Sequence, residues 1–74
     1  MLFYFDVDDG EWVSHDTNGV ELASAEEAAA EALRALVDIA RDKAVPRALQ
    51  AVVRDERREP VFKATLAVNG EWLA

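Results

Sequence analysis

Apolar and polar residues alternate over residues 2–8, which sets Phe3, Phe5 and Val7 on one face and Leu2, Tyr4, Asp6 and Asp8 on the other. A period of two is the signature of a half-buried strand. It returns at 48–54, where Leu49, Ala51 and Val53 share a face, and at 61–68, where Phe62, Ala64, Leu66 and Val68 do. A weaker strand is expected over 11–16, with Trp12 as its apolar anchor. It follows Asp9-Gly10, a pair suited to a two-residue hairpin turn with φ > 0 at both positions.

Between these strands the period changes. Residues 25–44 are nearly all good helix formers. Ser24 and Glu27 have capping-box spacing, Glu26 and Glu27 suit the positive end of the helix dipole, and Arg41 and Lys43 suit its negative end. Pro46 supplies a stop, because the residue before a proline is pushed out of the α region. At about 100° per residue, Ala29, Ala30, Leu33, Leu36, Val37, Ala40 and Ala44 form one apolar stripe, expected to face the sheet. Ala25, Ala28, Ala32, Ala35 and Ile39 form a second stripe beside it. The combined arc spans roughly 200°, against about 100° for a helix docked on a core. Either the alanines are tolerated at a surface as helix formers, or the second stripe meets another subunit. In the latter case Ala28, Ala32, Ala35 and Ile39 are the candidate self-association residues.

The order strand, strand, helix, strand, strand predicts a single α+β domain over residues 1–74. Its architecture is a four-stranded, largely antiparallel sheet with one helix packed on one face. A short tail, Glu71-Trp72-Leu73-Ala74, follows a turn at Asn69-Gly70.

Charge narrows the function classes. The net charge is −7, with ten acids and one base up to Asp38 and five acids and seven bases after it. An acidic domain is poorly suited to neutralising phosphates, which argues against nucleic acid. Arg54, Arg57 and Arg58 alternate with Asp55, Glu56 and Glu59 and read as a solvated turn. The N-terminus lacks the basic start of a signal peptide, and no apolar run approaches the roughly 18 residues of a membrane span. A cytoplasmic location is therefore expected. With no cysteine there is no disulfide or thiolate metal site to reinforce a core this small.

Catalytic groupings are sparse. His15 is the only histidine, so no histidine cluster can bind a metal. Asp6-Val7-Asp8-Asp9-Gly10-Glu11 departs from a calcium loop in its acid spacing. Ser14-His15-Asp16 cannot converge as a triad, because consecutive strand residues point to opposite faces. Asp16-Thr17-Asn18-Gly19-Val20-Glu21-Leu22 is the most distinctive loop, with an Asx turn at Asp16 and φ > 0 at Gly19 expected. Neither enzyme activity nor a cofactor or metal is expected.

Tyr4-Phe5-Asp6-Val7 with Asp9-Gly10, Asp16-x-x-Gly19-x-Glu21-Leu22, the helix segments Glu27-Ala28, Ala30-Glu31-Ala32-Leu33 and Ile39-Ala40, and Val53-Arg54-Asp55-Glu56 before Pro60-Val61 together carry a resemblance. They are similar to a family of short bacterial proteins known as domain of unknown function family 6894. The likeness covers almost the whole chain and implies a small standalone domain, with no activity to carry over. That family usually has a glycine in the second hairpin turn, where this chain has Arg57-Arg58-Glu59. Ser24-Ala25-Glu26-Glu27-Ala28 after a hairpin also resembles the helix start of HicB-type antitoxins.

Two functional expectations follow. The first is a non-enzymatic interaction module that forms a homodimer or other homo-oligomer. The second is an antitoxin-like acidic protein that meets a small basic partner, with Asp6, Asp8, Asp9, Glu11 and Asp16 steering the encounter.

Overall fold

The computed structural model describes residues 1–43 and 47–74. The expectations placed on Ala44, on Pro46 and on the side chain of Lys43 lie outside the described residues. The chain forms β1 (Leu2–Asp8), β2 (Val13–Ser14), β3 (Val20–Glu21), α1 (Ala25–Lys43), β4 (Arg47–Arg54) and β5 (Pro60–Val68). All strand pairs are antiparallel, in the order β2-β1-β4-β5, with β3 also pairing β1. The α+β class and the single helix over one sheet are as the sequence predicts. The sheet has five strands rather than four, because Val20-Glu21 pairs with Phe3 and Leu2 before the helix begins.

The core follows the alternation. Phe3, Leu49, Ala51, Val53 and Ala64 are buried under the helix, with Phe5, Val7, Phe62 and Leu66 packed against them. Ser24 caps the helix by accepting the Glu27 N–H at 3.2 Å. The Glu27 carboxylate accepts the Ala23 N–H at 2.9 Å, one residue earlier than the capping-box expectation.

The first hairpin differs from its expectation. Its loop runs over four residues, 9–12, closed by the Asp9 N–H bonding to the Trp12 carbonyl at 3.1 Å. The Asp9 carboxylate accepts the N–H groups of Glu11 and Trp12, so only Gly10 takes a positive φ, +94°. This wider turn leaves β2 two residues long, and Trp12 is 76% exposed rather than an anchor.

The helix is also turned from its expected facing. Ala28 and Ala32 are fully buried with Leu36, while Leu33 and Val37 are 50% and 49% exposed. The seam between the two apolar stripes meets the sheet, not the leucine-rich stripe. The bulk on this side comes from the sheet, from Phe3, Leu49, Val53 and Phe62. Alanines opposite those side chains let the helix sit close without overpacking.

Candidate interaction surface

Both faces of the sheet carry features to place. On the face away from the helix, Asp6 is 8% exposed. Its Oδ2 accepts the Arg54 Nε–H at 2.6 Å and lies 3.6 Å from His15 Nδ1. Its Oδ1 accepts the Asp16 N–H at 3.2 Å. Asp16 in turn accepts the Phe5 N–H with Oδ2 and the N–H groups of Asn18 and Gly19 with Oδ1. These contacts pin the loop over residues 15–19 onto β1. Gly19, at φ +76°, comes so near that a Cβ there would lie 3.0 Å from Leu2 and 3.1 Å from Tyr4.

Burial pushes the Asp6 carboxyl up. The Arg54 hydrogen bond, the Asp16 N–H and the charges of Arg54 and His15 outweigh it and hold the carboxyl below its ordinary value. Asp16 is likewise held low, first by the Gly19 N–H and then, against burial, by the N–H groups of Phe5 and Asn18. Arg58 lies over the Tyr4 ring at 4.5 Å from its centroid and takes φ +65°. It therefore adopts the left-handed conformation for which a glycine is the usual choice.

Tyr4, Asp6, His15, Asp16, Thr17, Arg54 and Arg58 line a cleft of about 360 Å³. Its two carboxylates are already spent on Arg54 and on backbone N–H groups. Among the described residues, no group of three or more His, Asp or Glu side chains is placed to hold a metal ion. No helix among them is long and apolar enough to cross a membrane.

The acidic residues expected to steer a partner are divided. Asp6 and Asp16 are committed inside this latch. Asp9 holds its own turn and pairs with Arg47, whose Nη1 lies 3.7 Å from its Oδ2. Asp8 Oδ1 accepts the Gly10 N–H, and Glu11 is exposed.

The expected self-association residues are placed differently again. Ala28 and Ala32 lie in the core and have no surface to offer a second subunit. Ile39 is partly buried against the same core. Ala35 lines a small groove of about 140 Å³ with Phe5, Val7, Val20, Glu31, Ala32 and Ala51. The large apolar side chains that the described helix leaves exposed are instead Leu33 and Val37.

Their flank follows from helix geometry. Glu31 and Leu33 each stand about 100° from the buried Ala32, in opposite directions. Glu31 faces the groove beside β1 and β3, so Leu33 and Val37 lean the other way. α1 rests on β4 and β5, and that other way is outward over β5. β5 ends the sheet and pairs with β4 alone among the described strands. Its nine residues carry one charge, Lys63. The apolar helix flank and an edge strand with a single charge therefore sit side by side. Sequence alone missed this pair because it sets the leucine-rich stripe toward the sheet and gives no strand order.

Residues 2–67 match the family described as Domain of unknown function (DUF6894). No curated protein and no solved structure matches the chain.

Proposed function

The chain belongs to the DUF6894 family, and we propose that it acts as a small non-enzymatic interaction module that self-associates. The observation carrying this reading is the exposure of Leu33 and Val37, 50% and 49%, beside an edge strand nine residues long. Proteins blunt a free edge with charges, prolines or short strands. Here Pro60 blunts the start and Lys63 the first half, and residues 64–68 carry neither charge nor proline. A domain of this size has a marginal core, so area buried between copies adds stability that the single copy lacks.

The non-enzymatic part rests on the cleft. Its two carboxylates are used in holding loop to strand, and Asp6 and Asp16 are kept ionised by those contacts. The antitoxin-like alternative is weaker, since Asp6, Asp9 and Asp16 are engaged within the chain.

Sedimentation or light scattering at micromolar concentration tests the proposal. A mass of about twice the 8.2 kDa chain, or a higher multiple, is expected. A monomer throughout that range overturns it.

A further inference from the structure

We infer that two copies join β5 to β5, antiparallel across a two-fold axis, so that the two sheets become one and the two helices pack against each other. This rests on the proposal of self-association and specifies its geometry.

The spacing carries the argument. Paired strands lie about 4.8 Å apart, so edge pairing puts each β5 about 2.4 Å and each β4 about 7.2 Å from the axis. A helix resting on β4 and β5 then stands about 5 Å from the axis, and the two helix axes lie about 10 Å apart. Packed helices are separated by 8–10 Å. One operation thus closes both unsatisfied features: strand N–H and C=O groups find partners, and Leu33 and Val37 of one copy meet those of the other. A two-fold contact of this kind is self-complementary and closes at two copies.

Charge limits the register. A register that sets Lys63 against Lys63 is penalised. Centring the axis on Ala64 pairs all nine residues and puts Lys63 opposite Thr65. An isolated foreign strand would satisfy the β5 edge but leave Leu33 and Val37 uncovered.

The chain lacks cysteine, so single cysteines report proximity cleanly. Thr65→Cys on the β5 edge and Leu33→Cys on the helix flank are exposed sites. Ser14→Cys on β2 and Glu31→Cys on the opposite helix flank are exposed controls. A short bis-maleimide should link copies of the first two variants and not of the controls. Leu33→Glu should raise the dimer dissociation constant at least tenfold without unfolding the chain. A dimeric mass with links at the controls and none at Thr65→Cys or Leu33→Cys overturns this geometry and leaves self-association standing. A monomeric mass overturns both.

Discussion

The Asp16 carboxylate accepts the Phe5 N–H at 3.2 Å, at the stretch of the β1 edge that no described strand covers. β3 pairs Leu2 and Phe3, β2 pairs Val7 and Asp8, and residues 4–6 lie between. Asp16 takes the place of a strand partner there. It accepts from Phe5, and its own N–H donates to Asp6 Oδ1 at 3.2 Å.

Replacing that carboxylate should therefore loosen the loop and the strand together. Asp16→Ala leaves the N–H groups of Phe5, Asn18 and Gly19 without their acceptor and should cost about 2 kcal/mol of folding stability, within the range for orphaned polar groups. Asp16→Asn keeps an acceptor oxygen and should cost less. Urea unfolding of the three proteins checks the order. Equal midpoints for Asp16→Ala and the parent would show that this carboxylate does not hold the loop to β1.

Acid should attack the same contacts. Asp6 and Asp16 both have folded carboxyls held below their unfolded values. Each contributes stability that is complete above the unfolded value and is lost as pH falls through the folded one. Urea midpoints should stay level near neutrality and fall from about pH 4 downward. Arg54→Met should flatten that fall, because burial of Asp6 then goes less opposed. It should also cost about 2 kcal/mol at neutral pH, less than at a fully buried pair, since the Arg54 side chain is 34% exposed. An unchanged acid limb in Arg54→Met would show that this pair is not its source.

Three glycines give a graded series. Gly19→Ala forces a Cβ to within 3.0 Å of Leu2 at φ +76°, Gly10→Ala meets only a carbonyl at 3.7 Å at φ +94°, and Gly70→Ala meets nothing within 4 Å. The left-handed penalty alone is about 1 kcal/mol, or about 4–8 °C in a domain this size. Gly19→Ala should lower the melting temperature by more than that, Gly10→Ala by about that much, and Gly70→Ala hardly at all. Differential scanning calorimetry reads all three.

Arg58 carries opposing effects. Its left-handed φ costs about 1 kcal/mol, and its stacking on Tyr4 returns about 0.5–1 kcal/mol. Arg58→Gly removes both and should be nearly neutral. Arg58→Ala keeps the strain, loses the stacking and should be less stable than Arg58→Gly by about 1 kcal/mol. Equal stability of the two variants would mean that the turn relaxes out of the left-handed region.

Much of this architecture is legible in the sequence, for a local reason. Alternation at Phe3, Phe5 and Val7, and at Leu49, Ala51 and Val53, assigns faces without knowledge of neighbours, because strand periodicity is a backbone property. The Ser24 cap and the Gly19 turn are likewise written within a few residues. What escapes is tertiary. Val20-Glu21 is too short to show a period, and its strand exists because Leu2 and Phe3 lie opposite. Asp6 looks like a free acid until the fold brings Arg54 to it, and the Asx turn legible at Asp16 does not reveal that its second oxygen meets the β1 edge gap. The helix facing escapes for a related reason: periodicity favours the leucine-rich stripe, and the bulk of the sheet instead selects the alanine-lined seam between the two stripes.

That choice has a direct test in three helix positions. Leu36 is 1% exposed and packs among the core residues of the sheet, so Leu36→Ala should cost about 2–4 kcal/mol through lost burial and a residual cavity. Ala32 is fully buried, and Ala32→Leu adds volume where the helix already sits close, at a cost of about 1–3 kcal/mol. Leu33 is half exposed, so Leu33→Ala should change the stability of the dilute monomer by about 0.5 kcal/mol or less. Thermal unfolding at low concentration isolates the monomer, and repeating it at high concentration adds any contribution from association. Leu33→Ala should then fall behind the parent only as concentration rises. If it is instead as costly as Leu36→Ala when dilute, the leucine stripe faces the core, and the flank over β5 has no apolar surface to offer.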